Sequence, residues 1–184
     1  MNTIRLKLTS LAWCIALAVL AIVNPASAQD SKVKLKVGDV APLVTGLDQD
    51  GKEWKLAAAA GKNVVLLYFY PKDETPGCTK EACGLRDSMG DLQKSDVAVI
   101  GVSFDDAESH KKFIAKHNLN FSLLADTEGK IADAYGVRMP DKARARRVSF
   151  LIGKDGKILH ITDAPQAEVH LSEMKEAVAK LKSS

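Results

Sequence analysis

An unbroken apolar run at residues 64–70 and a mostly apolar run at 97–104 dominate the pattern of hydrophobic and polar positions. Runs of this kind are typical of strands that are covered on both faces of a sheet. A helical pattern follows each of them, over about residues 75–94 and 105–118. This alternation of strand and helix predicts parallel strands joined by right-handed crossovers.

The second half of the chain predicts a different kind of pairing. Residues 147–152 and 157–161 alternate between apolar and polar positions and are joined by Gly-Lys-Asp-Gly, a strong hairpin signal. A short strand at 121–125 precedes them, and an amphipathic helix over 168–182 follows. Parallel strands first and an antiparallel hairpin later predict an α/β, thioredoxin-like fold with a central mixed β-sheet flanked by helices.

Cys78 lies just after the first apolar run, where open α/β sheets collect their functional sites. Thr75 is the predicted N-cap and Pro76 the first residue of the helix, so Cys78 is the third helical residue. Backbone N–H groups have no helical partners there, and the helix dipole is positive. Both effects favour thiolate over thiol, and thiolate is the nucleophile.

Cys83 follows five residues later, at a spacing that excludes a disulfide within a regular helix. Five helical residues place two Cα atoms roughly 8.6 Å apart. A disulfide needs a Cα separation below about 7 Å. The first turns must therefore unwind before the pair can be joined, and Gly77 and Gly84 lower the cost of unwinding. This spacing favours a redox pair over a structural bridge.

The first 28 residues have the pattern of an export signal. Arg5 and Lys7 give a basic start, residues 8–23 are almost entirely apolar, and Ala-Ser-Ala at 26–28 is a small-residue cleavage site. We expect cleavage after Ala28 and an exported, periplasmic protein. The apolar run nearly reaches spanning length, so retention as a membrane anchor is the alternative.

Cleavage would remove two basic residues, which lowers the net charge from +3 to about +1. The remainder, residues 29–184, then has no charge excess of the kind that nucleic-acid binding needs, and its length predicts one domain. Only Cys78 and Cys83 remain in it. In an oxidising compartment a close pair rests as a disulfide unless it is reduced, so a cycling function needs an electron donor.

Three segments of the chain together resemble the peroxiredoxins. They are GDVAPLVTGLDQDGKEWKL, VVLLYFYPKDETPGCTKEACGLRD and RVSFLIGKDGKI, and the similarity extends from about residue 38 to 158. Within that family the chain looks like the peroxiredoxin Q or bacterioferritin comigratory protein group. The resemblance implies a thiol-dependent peroxidase for antioxidant defence that uses no metal or organic cofactor.

The resemblance also implies roles for individual residues. Cys78 matches the peroxidatic cysteine, whose thiolate attacks the O–O bond, and Thr75 matches the threonine whose hydroxyl contacts that sulfur and the peroxide. Pro71 matches the proline that shields the pocket from water. Arg147 matches the arginine that supports the thiolate from a distant strand, and Glu81 matches a position that orients this arginine.

Cys83 matches the resolving cysteine, which would form an intrachain disulfide that a thioredoxin-like donor reduces. The implied partners are therefore a peroxide substrate and a protein reductant. We expect no stable membrane association and a monomer, or at most a weak dimer. Gly84 departs from the larger residue that is common in the group, and Arg144 and Arg146 are neighbours that could compete with Arg147.

Other interpretations of the same residues stay open. A copper-delivery protein would need closer cysteines and a histidine near them, and a thiol–disulfide carrier favours C-x-x-C, which is absent. Thr75 could serve as a helix cap alone, and Glu81 could be an exposed helix acid. The four histidines, which receive no role, are His110, His117, His160 and His170.

Overall fold

The computed structural model describes residues 33–140 and 142–181. The predicted signal segment lies outside these residues. Among the described residues, no helix has both the length and the apolar character to cross a membrane. The elements, in chain order, are β1 (Thr45–Leu47), β2 (Glu53–Lys55), α1 (Leu56–Ala60), β3 (Val64–Phe69), α2 (Pro76–Gln93), β4 (Val97–Ser103), α3 (Ala107–His117), β5 (Ser122–Ala125), α4 (Lys130–Ala134), β6 (Val148–Ile152), β7 (Ile158–Asp163) and α5 (Ala167–Leu181).

The central sheet has five strands in the order β5-β4-β3-β6-β7. Strands β3, β4 and β5 run parallel, whereas β6 is antiparallel to both β3 and β7. All six residues of β3 are buried, because strands flank it on both sides and helices cover both faces. The predicted mixed α/β sheet is therefore confirmed, and β1 and β2 form a separate hairpin.

Alternate residues of β3 pack into two separate cores, one on each face of the sheet. Val65, Leu67 and Phe69 point into a cluster that includes α1, α4 and Phe150. Leu66, Tyr68 and Tyr70 point into a second cluster that includes residues of α2, α3 and α5. Cys78 belongs to this second cluster, so the candidate nucleophile is set into the core between α2 and the sheet.

Helix α2 begins as the sequence predicts, with Thr75 at the N-cap, Pro76 first and Cys78 third. The details at the cap differ from the prediction. The Thr75 side chain makes no capping hydrogen bond, and its hydroxyl donates to the Lys72 carbonyl oxygen at 3.0 Å instead. Its hydroxyl therefore stabilises the turn before the helix. Glu74, with φ of 61°, is the left-handed residue that turns the chain into α2.

Candidate functional site

The Cys78 side chain is the centre of the candidate site. It is a free thiol with only 1% of its surface exposed, at the third position of α2. The unpaired N–H groups of the first helical turn and the positive end of the dipole both face this position. Burial favours the neutral thiol, so a stable thiolate needs a further positive partner.

Arg147 is that partner, and it lies immediately before β6. Its Nη2 donates to the Cys78 Sγ at 3.3 Å, and its Nε donates to the Pro165 carbonyl oxygen at 3.1 Å. Its Nη1 forms an ion pair with Glu81. Three anchors thus hold a guanidinium that is only 8% exposed, so its charge is fixed beside the sulfur.

Glu81 lies one helical turn after Cys78 and is fully buried. Burial raises the pKa of its carboxyl to about 7, although the charge of Arg147 and its hydrogen bond act in the opposite direction. One oxygen, Oε2, receives the bond from Arg147, and the other, Oε1, has no hydrogen-bond partner. The carboxyl is therefore an internal orienting group rather than an exposed helix acid.

The two neighbouring arginines do not compete for the sulfur. Arg146 donates to both carboxylate oxygens of Asp163, at 3.0 and 2.9 Å. Arg144 is exposed in the loop before β6. Among the three arginines that the sequence could not separate, the structure brings Arg147 to Cys78.

Pro71 and Arg147 border an open cleft of about 330 Å³ beside the site. Pro71 lies at the bend that follows β3 and is half-buried. The lining is apolar except for the side chains of Arg146, Arg147 and Asp163, and the cleft is large enough for a small hydroperoxide. Its lining residues are Pro71, Met139, Arg146, Arg147, Asp163, Ala164 and Pro165.

A buried network anchors the connection between β3 and α2. The Asp73 carboxylate accepts hydrogen bonds from the Tyr70 hydroxyl at 2.7 Å and the Ser109 hydroxyl at 2.8 Å, and it pairs with His110 at 2.9 Å. Burial alone would raise the pKa of Asp73, but these partners outweigh it and lower the pKa. The network fixes the loop that carries Thr75.

The same network includes residues that the sequence did not indicate as part of any site. His110 is fully buried, and its second ring nitrogen lies 3.2 Å from the Leu124 carbonyl oxygen. Its partner Asp73 comes from a segment 37 residues earlier. The fold, and no local sequence pattern, brings these two partners together.

Cys83 is a free, half-buried thiol in the same continuous helix as Cys78. The helical separation of roughly 8.6 Å therefore applies to this state, and a disulfide would require local unwinding. Gly84 allows a close approach of α5, because a Cβ at this position would come within 2.5 Å of the Leu171 side chain. The departure from a larger residue at 84 thus has a packing reason.

The comparisons with known proteins agree with this arrangement. The family model described as AhpC/TSA matches residues 37–161, which is more than half of the chain. Peroxiredoxin Bcp from Escherichia coli K12 is 44% identical over 135 residues, covering 70% of this chain and 86% of the relative. The chain is a peroxiredoxin of the AhpC/TSA family, in the peroxiredoxin Q/Bcp group.

Further peroxiredoxins are similar in sequence or in structure. The chloroplastic peroxiredoxin Q of Triticum aestivum is 41% identical over 155 residues, covering 80% of this chain and 69% of the relative. Peroxidoxin BcpB of Mycobacterium tuberculosis superimposes with a TM-score of 0.74 at 30% identity, over 81% of this chain and 97% of that one. A peroxiredoxin Q of Xanthomonas campestris superimposes with a TM-score of 0.69 at 27% identity, over 82% of this chain and 97% of that one.

As a peroxiredoxin, the protein is a thiol-dependent peroxidase, an oxidoreductase with an antioxidant role. Its fold is the thioredoxin-like fold of its structural neighbours. Within residues 33–140 and 142–181, no group of three or more His, Cys, Asp or Glu side chains could hold a metal ion. Membership of the peroxiredoxin family favours the peroxidase over the copper-delivery and thiol-carrier interpretations.

Proposed function

We propose that the Cys78 thiolate attacks one oxygen of a hydroperoxide. A sulfur–oxygen bond forms as the O–O bond breaks, so the sulfur is oxidised to a sulfenic acid and the peroxide is reduced. The second oxygen leaves with the bonding electron pair and takes a proton, which gives water or an alcohol. The observation that carries this proposal is the 3.3 Å contact between Arg147 Nη2 and the Cys78 sulfur.

Arg147 acts twice in this step. Before the reaction its fixed charge stabilises the thiolate against the effect of burial. During the reaction the same guanidinium lies beside the oxygens on which negative charge develops, where a preorganised donor is most effective. Glu81 and the Pro165 carbonyl oxygen hold it in this position. Pro71 and the start of α2 limit the access of water.

Cys83 then resolves the sulfenic acid. Its thiolate attacks the Cys78 sulfur, the sulfenic hydroxyl leaves as water, and an intrachain disulfide forms once the first turns of α2 have unwound. A thioredoxin-like donor supplies the two electrons that regenerate both thiols. Redox partners of this kind are typical of the family to which the chain belongs.

The substrates in this proposal are hydrogen peroxide and organic hydroperoxides. A bacterioferritin comigratory protein from Xanthomonas campestris, which is 26% identical with a TM-score of 0.69, has alkyl peroxide reduction activity. In this chain, Pro71, Met139, Ala164 and Pro165 give the cleft an apolar wall beside Arg147. That wall supports binding of the organic part of such a substrate.

The proposed place of action is the periplasm, after removal of residues 1–28. The basic start, the apolar run and the Ala-Ser-Ala site support export. The processed protein would work as a monomer or a weak dimer without stable membrane association. Its reductant would then have to operate in an oxidising compartment.

Peroxide consumption by matched variants tests the proposal. Cys78→Ser should consume no peroxide. Cys83→Ser should consume one equivalent and then stop, with a trappable sulfenic acid at Cys78. Arg147→Ala should lower the second-order rate constant about 10²-fold, because one preorganised donor is lost. An unchanged rate constant in Arg147→Ala, or sustained turnover by Cys83→Ser with a thioredoxin-type donor, would contradict the assigned roles.

A further inference from the structure

A second polar layer lies behind the Arg147–Glu81 pair, and it is built from His170 of α5 and Ser149 of β6. Both residues are buried, with 2% and 1% of their surfaces exposed. His170 Nδ1 lies 2.7 Å from the Ser149 hydroxyl, and Nε2 lies 2.8 Å from the Ala164 carbonyl oxygen. The mechanism above does not use this layer.

The hydrogen bonds fix the protonation of the ring. A carbonyl oxygen only accepts, so His170 Nε2 carries the proton that is donated to Ala164. Burial lowers the pKa of His170, the Ala164 carbonyl opposes this, and the charge of Arg147 lowers the pKa further. The ring is therefore neutral, with an acceptor lone pair on Nδ1 that receives the Ser149 hydroxyl.

The layer reaches Glu81 on its unpartnered side. Glu81 Oε1 is buried without a hydrogen-bond partner, and it lies 3.6 Å from His170 Nδ1. A buried carboxyl oxygen without a partner is unfavourable, and the polar edge of an imidazole ring is a better neighbour for it than an apolar side chain would be. The Nδ1 lone pair is taken by the Ser149 hydroxyl, so the ring borders Oε1 without a hydrogen bond to it.

His170 also holds the backbone that anchors Arg147. Residues 164–166 join β7 to α5, and the Ala164 carbonyl oxygen accepts the bond from His170. The next carbonyl, that of Pro165, accepts the bond from Arg147 Nε at 3.1 Å. The imidazole ring therefore touches both supports of the guanidinium. It packs against the Glu81 carboxyl on α2, and it is hydrogen-bonded to the turn before α5, beside the carbonyl that binds Arg147.

We propose that His170 is a positioning residue for the peroxide reaction, because its ring packs against Glu81 and holds the 164–166 turn by a hydrogen bond, and these two supports aim Arg147 at the Cys78 sulfur. The inference rests on the proposed role of Arg147 and adds a residue on a different helix. Loss of the ring should let Glu81 and the 164–166 turn shift. The guanidinium would then follow its supports away from the sulfur.

The test is the pKa of Cys78 and the peroxide rate constant across pH in His170 variants of the full chain. Thiolate absorbance is read in a background with both Cys14→Ser and Cys83→Ser, so that the signal comes from Cys78, with Tyr68, Glu81 and Arg147 unchanged. His170→Phe should raise the Cys78 pKa by about one unit, and so lower the rate constant about tenfold below that pKa. His170→Gln can still donate to Ala164 and should recover most of the loss.

His160→Phe is the matched control. His160 is half-buried on β7, its ring contacts Glu173 at 3.3 Å, and it takes no part in the Arg147 supports. We expect the control to keep the wild-type pKa of Cys78. A purely structural role of His170 would lower the urea midpoint without moving the Cys78 pKa, and that result would overturn the inference.

Arg147→Ala, measured in parallel, separates the two proposals. If Arg147→Ala is slow and a folded His170→Phe has the wild-type pH profile, the inference fails and the proposed function stands. If Arg147→Ala keeps the wild-type rate constant, the proposed function fails.

If His170→Phe does not fold, the variants His170→Gln and His170→Asn provide the test. Gln keeps the hydrogen bond to the Ala164 carbonyl oxygen, and Asn keeps a polar group that faces Ser149. If both variants have the wild-type pH profile of the rate constant, the result contradicts a positioning role.

Discussion

At the scale of single residues, the site depends on how closely the Arg147 guanidinium can approach Cys78. Gly77 allows this approach, since a Cβ at position 77 would lie 3.1 Å from Arg147 Nη2. Any side chain there must push the guanidinium back by a few tenths of an ångström. The glycine before the cysteine therefore has a steric role at the site.

Gly77→Ala should slow the peroxide step about threefold to tenfold, because it displaces a group that needs accurate placement. Its stability should be unchanged or higher, since Ala favours helix over Gly by about 1 kcal/mol. Gly90→Ala is the matched control on the same helix, because nothing lies within 4 Å of a Cβ there. It should gain stability and keep the wild-type rate constant. Equal rate constants in the two variants would contradict the steric role of Gly77.

The raised pKa of the Glu81 carboxyl predicts that the free energy of unfolding falls as pH rises. Its folded pKa of about 7 exceeds the value of about 4.3 for a free glutamate. Between these values the folded state keeps a proton that the unfolded state has released, so stability falls as pH rises. The pKa of His170 is lowered, and that group acts in the opposite direction near its ordinary value.

Urea unfolding of wild type and Glu81→Gln from about pH 4.5 to about pH 8 isolates this group, because His170 is present in both proteins. Wild type should lose up to roughly 3 kcal/mol more than the variant across the window. Asp73, whose pKa is lowered, contributes stability that is lost only as pH falls below about 4. Parallel pH profiles for the two proteins would show that Glu81 has an ordinary pKa.

At the scale of elements, helix α2 has two parts with different anchors. Its first turns combine the core packing of Cys78 and Ala82 with polar contacts, those of Cys78 and Glu81 with Arg147 and the exposed pair of Lys80 with Glu168. From Leu85 onward, apolar side chains pack it into the core. Oxidation of Cys78 removes the thiolate that Arg147 stabilises, so the first part is the one that can unwind.

Hydrogen exchange of the reduced and disulfide forms tests this division. In the disulfide form, amides of residues 79–84 should exchange at least about tenfold faster, because the helical hydrogen bonds that begin at Thr79 are open there. Amides of residues 86–93 should keep most of their protection. Uniform protection along α2 in both forms would mean that the pair is joined without unwinding, which the helical geometry does not allow.

At the scale of the whole molecule, the sequence predicts the strands, helices and turns better than the buried polar networks. The apolar runs at 64–70 and 97–104 become β3 and β4, and the Gly-Lys-Asp-Gly signal becomes the turn between β6 and β7. These signals are local in the sequence, because a strand that is buried on both faces of the sheet has a continuous apolar run. The position of Cys78 at the third residue of α2 was also predictable, because Thr75 and Pro76 are local signals for the start of a helix.

The supporting networks were not predictable, because their members come from distant parts of the chain. His170 reaches Ser149 across 21 residues, and His110 reaches Asp73 across 37. Buried histidines leave no periodic signal that distinguishes them from exposed ones. The choice of Arg147 over its neighbours likewise depends on Asp163, which binds Arg146 instead. The signal peptide stays a prediction, since residues 1–28 lie outside the described part.

The central claim is that an ionised Cys78 attacks peroxide and that Cys83 resolves the product. Peptide-resolved mass spectrometry of the reduced full chain, before and after one equivalent of hydrogen peroxide, tests it most directly, and the mapping separates Cys14 from the pair. The account predicts that the Cys78 and Cys83 peptides become linked with loss of two hydrogen atoms, and that Cys78→Ser stays unmodified. Free thiols at both positions after complete consumption of the peroxide, or primary oxidation at Cys83, would contradict it.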